Sequence, residues 1–186
     1  MNDRILSIRR LFEGWMNLLV VQVRVRGHVL ERALVEHPSG VQILLYDPER
    51  RVALVGKQLR LGVLHLDAAQ LFEAMGGMTE GGDAEATAKQ EAWEEAGVHV
   101  SDVEFAGHVW MTPSSTTERV HLYLAPYHAE DRVAAGGGVG DEHEHIELEE
   151  QPLAELWTQA RSGAAFDAKL FMLLQALHLR QPDLFK

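Results

Sequence analysis

Residues 41–47, VQILLYD, form an almost unbroken apolar run, and RVALVGKQ (51–58) follows after a turn at Asp47 and Pro48. Runs of this length, rich in aliphatic residues and bounded by turn residues, read as core strands. A third run, VHLYLAPY (120–127), reads the same way. Shorter strands are expected in LFEAM, ending at Met75, near 103–111, and in IELEEQPL. Helical patterns lie between and after them. Asp83 reads as the N-cap of a helix that ends near Gly97, LAELWTQAR follows Pro152, and DAKLFMLLQALHLR is amphipathic. Strands mixed with three helices predict an α/β (α+β) sandwich, with helices on two sides of a mixed sheet. Ahead of it, the segment from Trp15 to Val25 alternates with period two and HVLERALVEH reads as its hairpin partner, a two-stranded N-terminal piece.

At 186 residues the chain suits one domain, here divided into an N-terminal β extension (1–37) and a main domain (38–186). A hydrophobic fraction of 46% with 24% charged residues is that of an ordinary globular chain. The net charge of −11 repels phosphate backbones, which argues against nucleic-acid binding. An anionic small molecule would need local help from arginines or a divalent cation. Cysteine is absent, so disulfides, thiolate metal sites and a cysteine nucleophile are excluded. No run reaches the roughly 18 apolar residues of a membrane span, and a cytoplasmic location is expected.

The predicted helix carries the densest charge, KQEAWEEAGV (89–98). At about 100° per residue Glu91 and Glu95 lie nearly one above the other with Glu94 on the flank, while Trp93 points away and can pack inward. Like charges at i,i+4 cost a helix roughly 0.2–0.5 kcal/mol per pair. A solvated face is the ordinary explanation. A hard divalent cation is the alternative, since it takes carboxylate and carbonyl oxygens and would offset the repulsion. The glycine loop GGMTEGG (76–82) just before the helix brings backbone within reach. Glu85 reads as an i,i+4 partner of Lys89.

The stretch Gly76–Val98, GGMTEGGDAEATAKQEAWEEAGV, resembles the Nudix box, G-x5-E-x7-R-E-U-x-E-E-x-G-U with U aliphatic. Gly76, Glu91, Ala92, Glu94, Glu95, Gly97 and Val98 match without gaps; Gly82 stands where the pattern has glutamate and Gln90 where it has arginine. In the family that arginine is implied to orient a catalytic glutamate. Both departures are neutral, so neither leaves a charge without its partner. KQLR (57–60), LFEAMGG, MTPSSTTERVHLYLAPY and AAGGGVGDEHEHIEL extend the resemblance to the ADP-ribose and GDP-mannose pyrophosphatase branch, and DAKLFMLLQAL is similar to its last helix.

The resemblance implies an α/β/α Nudix sandwich and hydrolysis of the diphosphate of a nucleoside diphosphate sugar, GDP-mannose or ADP-ribose type, to a nucleoside monophosphate and a sugar phosphate. It implies Glu91 and Glu95 as ligands of Mg²⁺, or Mn²⁺ in its place, Glu94 as a further ligand or orienter, and the Met75 carbonyl as completing the set. The general base is implied in the acidic loop, at Glu142 or Glu144, with register favouring Glu142. Arg60 is implied to hold the diphosphate, with Glu73 and Glu118 on the substrate side. The N-terminal extension is implied to build a homodimer, and Arg24 and Arg26 alternate so as to face the second subunit. Cleavage of a dinucleotide such as NADH, and nucleotide-sugar binding without turnover, are the alternatives.

Ten histidines invite a metal reading, with His143 and His145 flanking Glu144 the best case. A solvated loop is the preferred one, because hard-oxygen chemistry does not need imidazole. His65 reads as a loop residue close to the substrate's base, and Trp110 and Trp157 read as packing residues.

Overall fold

The computed structural model describes residues 3–79, 81–138 and 145–186. Its central strand is the run that opened the sequence: β4 (Gly40–Asp47) is buried at every position from 41 to 47. It pairs in parallel with β7 (Arg119–Pro126) on one side and antiparallel with β5 (Val52–Lys57) on the other. β6 (Glu104–Trp110) and β8 (Glu147–Pro152) flank these, giving a five-stranded mixed sheet in the order β6-β7-β4-β5-β8.

Alternation along β4 divides the core. Val41, Ile43 and Leu45 join Ala88, Ala92 and Ala96 of helix α2 (Ala84–Ala96) on one face. Leu44 and Tyr46 join the leucines of α3 (Leu153–Arg161) and α4 (Ala168–Arg180) on the other. The sandwich with helices on both sides is thus as expected, and each buried leucine of α4 contributes roughly 1.5–3 kcal/mol to holding it.

Three local expectations change. RILSIRRLF forms a further strand, β1 (Arg4–Phe12), so the N-terminal piece is three-stranded, antiparallel β1-β2-β3, with β2 (Asn17–Val25) and β3 (His28–Glu36). β2 and β3 are joined by a two-residue turn in which Arg26 and Gly27 both have positive φ, the type that matches strand twist. LFEAM is not a strand: only isolated bridges, Gly56 to Glu73 and Ile43 to Met75, tie it to the sheet. A fourth, one-turn helix, α1 (Leu61–His65), stands where a loop was expected, and His65 closes it.

Two tryptophans do not pack as expected. Trp93 is 38% exposed and stacks on His99, because the alanines at 88, 92 and 96 are the residues of α2 that face β4. Their small size lets the helix approach the sheet closely. Trp110 is 56% exposed beneath the Arg119 guanidinium, whereas Trp157 does pack on the α3/α4 core.

Candidate active site

Helix α2 begins and ends as its sequence demands. The Asp83 side chain accepts the Glu85 N–H at its start, and Gly97 adopts φ 67° at its end. That fixes the rotation of the helix, and with it the placement of three glutamates. Lys89 pairs with Glu85 at 2.9 Å, away from them.

The glycine loop is threaded along the edge of β4. Ile43 N–H donates to the Met75 carbonyl at 2.8 Å and Val41 N–H to the Gly77 carbonyl at 2.9 Å. The buried Gln42 amide donates to the Ala74 carbonyl. The loop therefore has no freedom to retreat from α2. A Cβ at Gly76 would lie 2.2 Å from the Val41 carbonyl oxygen, and one at Gly77 would lie 2.1 Å from Glu91 Oε1. Glycine is required here by close approach to backbone and to carboxylate. The loop also donates: Gly76 N–H reaches Glu95 Oε2 at 2.7 Å, and Glu95 is 3% exposed.

The far end of α2 holds the start of the acidic loop. Gly137 N–H donates to the Glu95 carbonyl at 2.7 Å, a Cβ at Gly136 would lie 2.4 Å from that same oxygen, and Ile146 N–H returns to the Gly137 carbonyl at 3.3 Å. Gly136, Gly137 and Gly138 all have positive φ. Both described ends of the loop are thus pinned near Glu95. Glu142, Glu144 and His143 lie outside the described residues, and His145 is exposed.

These elements enclose a cavity of about 850 Å³. Glu91, Glu94 and Glu95 of α2 line it together, as does Glu118, just before β7. Arg60 and Lys169 are the cations that line it. Arg60 is held as a fork: its Nε and Nη2 donate to the two oxygens of Glu73 at 2.8 and 2.6 Å. Those hydrogen bonds raise the guanidinium pKa further above its ordinary value. Glu73 is 5% exposed and does not itself line the cavity, so it reaches the site through Arg60. His65, expected near a base, is absent from the lining.

Three lining residues carry no local sequence signal. Lys169 is fixed by Asp167 at 2.9 Å, itself the N-cap of α4. Trp15 meets His37 edge-on at 5.3 Å, and His37 is locked by two hydrogen bonds to Thr117. They come from segments far apart in the chain, so no spacing rule could have joined them to the glutamates.

Among the described residues no three carboxylates or imidazoles converge into a complete metal cage. The donor type nonetheless fits a hard divalent ion that keeps several waters, because Glu91, Glu94 and Glu95 all line the one cavity with carboxylate side chains. Four carboxylates against two cations leave the cavity too anionic to receive a diphosphate unaided.

A family model described as NUDIX domain matches residues 36–174. The chain is 32% identical over 166 residues to a GDP-mannose pyrophosphatase of Citrobacter koseri, covering 87% of this chain and 86% of the relative. It is 34% identical over 168 residues to one of Cronobacter sakazakii, covering 88% and 87%. A solved structure described as an ADP compounds hydrolase matches with a TM-score of 0.77 at 16% identity, over 98% of this chain and 96% of its own, a likeness of fold.

Proposed function

As a member of the NUDIX family, to which the chain belongs by a match over residues 36–174, this protein is a Nudix hydrolase, and we propose that it cleaves the diphosphate bond of a nucleoside diphosphate sugar of the GDP-mannose or ADP-ribose type. The observation that carries this reading is the docking of the glycine loop on Glu91 and Glu95 within a cavity sized for such a ligand. The relatives' names supply the substrate class.

Family members generally use divalent metal ions. In this chain Glu91 and Glu95, with Glu94 as a further ligand or orienter and the Met75 carbonyl completing the set, would hold Mg²⁺ or Mn²⁺. Such an ion neutralises phosphate charge and acidifies water. The residues do the rest. Arg60, kept rigid by Glu73, directs its remaining N–H donors at a phosphoryl oxygen, and Lys169 adds a second positive charge. Glu118 faces the substrate. Glu142 or Glu144, outside the described residues, is assigned the proton of the attacking water on the resemblance of the acidic loop alone.

The N-terminal extension, 1–37, pairs with a second copy of the chain. Between residues 3 and 36 it carries six arginines against four carboxylates in a protein of net charge −11, and Ile5 and Ile8 of β1, which share a face through their pairing with Val23 and Val21, are more than half exposed. A basic sheet with an apolar face complements an acidic body. A cytoplasmic location is assigned on the proposed nucleotide-sugar substrate class; among the described residues no helix is long and apolar enough to cross a membrane.

Phosphate released by an added phosphatase from a panel of nucleoside diphosphate sugars and dinucleotides, with Mg²⁺ or Mn²⁺, tests the reading. Turnover confined to the sugars supports it. Preferential cleavage of NADH or another dinucleotide would reassign the substrate, and tight binding without turnover would make the protein a binding module.

A further inference from the structure

The motif's arginine position is Gln90, and the structure shows what the glutamine does. Its Nε2 donates to Glu94 Oε1 at 2.9 Å, one helical turn on, and both residues line the cavity. Gly82, the other departure, also lines it. Among the described residues its backbone does not demand glycine: a Cβ there would meet the Thr79 carbonyl at 3.4 Å, ordinary contact, and its φ is not in the left-handed region. The neutral pair is therefore not a by-product of loop geometry.

We infer that Gln90 is the positioning residue of Glu94, a neutral amide that fixes one carboxylate oxygen without cancelling its charge. The inference rests on the proposed role of Glu94 in the cation-binding wall. An arginine or lysine at position 90 would hold Glu94 as firmly, but would bring a positive charge to the same wall and oppose a divalent cation. The glutamine separates the two effects: orientation is kept and the full anionic field of the wall is retained. Gln90 is exposed, so replacing it disturbs no core packing.

The test uses three proteins, wild type, Gln90→Met and Gln90→Arg, each checked for an unchanged melting temperature. Mn²⁺ binding is titrated by electron paramagnetic resonance without substrate, and kcat and KM are measured for GDP-mannose at saturating Mn²⁺. The Met variant, which fills the space without a donor, loses roughly tenfold in kcat with KM within about twofold, and binds Mn²⁺ about threefold more weakly. The Arg variant recovers kcat to near wild type while its Mn²⁺ affinity falls by about tenfold. A Met variant equal to wild type in both Mn²⁺ affinity and kcat overturns the positioning role. An Arg variant that binds Mn²⁺ as tightly as wild type overturns the charge component. If wild type hydrolyses no nucleotide sugar, the Mn²⁺ titrations of wild type and Met variant still decide the matter, weaker binding by the variant supporting it and equal binding overturning it. Failure of wild type to bind Mn²⁺ at all overturns the cation-binding wall itself.

Discussion

The Gly76 amide donates to the Glu95 carboxylate at 2.7 Å, so the loop that closes one side of the cavity is bonded to the most buried of its three helical glutamates. Replacing Glu95 by Gln keeps an oxygen to accept that bond but removes the charge. Hydrolysis of a nucleoside diphosphate sugar should then fall by about a hundredfold or more, with little change in melting temperature. Turnover equal to wild type would remove Glu95 from the ligand set.

The two neighbouring glycines should fail in different ways. Alanine at Gly77 would push on the end of a side chain, Glu91 Oε1, so it should impair metal binding and turnover more than stability. Alanine at Gly76 would push on the Val41 backbone and should cost about 1–3 kcal/mol of stability. Denaturant unfolding and Mn²⁺ titration of the two variants distinguish these outcomes. Equal effects on both properties would show that the loop yields as a unit.

The bidentate pair of Arg60 with Glu73 separates orientation from charge. In Glu73→Gln the guanidinium stays but its fork is no longer matched, so KM for the nucleotide sugar should rise several-fold with a smaller change in kcat. Arg60→Ala should be worse on both counts, since it also leaves a buried carboxylate short of its donors at about 1–3 kcal/mol. Unchanged steady-state constants in Glu73→Gln would mean that Arg60 does not meet substrate.

These relationships were unequally legible in the sequence. The ends of α2 were readable because Asp83 and Gly97 have specific backbone jobs, and β4 was readable because residues 41 to 46 are apolar apart from Gln42, and Asp47 opens a turn. β1 was not, because all nine of its residues are exposed and no pattern of burial marks RILSIRRLF as a strand. Trp93 misled for a different reason: size suggests burial, but the close approach of α2 to the sheet selects alanines for the buried face. The glutamate wall came from one contiguous motif, whereas Lys169, Trp15 and His37 reach the cavity only through tertiary structure.

At the opposite end of the sheet, stability should depend on acid. The hydrogen bonds from Arg50 hold the Glu150 carboxyl below its ordinary value of 4.5, against the opposing effect of burial, with the Tyr127 hydroxyl adding to the lowering. A carboxylate lowered in the folded state contributes stability above its unfolded value and loses it as pH falls through the folded one. Glu150→Gln should melt below wild type near neutrality, and the gap should close as pH falls below the ordinary carboxylate value of 4.5 and through the lowered folded one. The pair is partly solvated, so the effect is modest. A gap that stays constant with pH would show that Glu150 does not carry it.

The most direct measurement follows the bond itself. GDP-mannose or ADP-ribose incubated with the protein and Mg²⁺, monitored by phosphorus NMR, should lose its diphosphate signals and give a nucleoside monophosphate and a sugar phosphate in equal amounts, with no reaction when the divalent ion is chelated. An intact diphosphate across both substrates with Mg²⁺ and Mn²⁺, or products in which the diphosphate survives, would contradict the proposed hydrolysis.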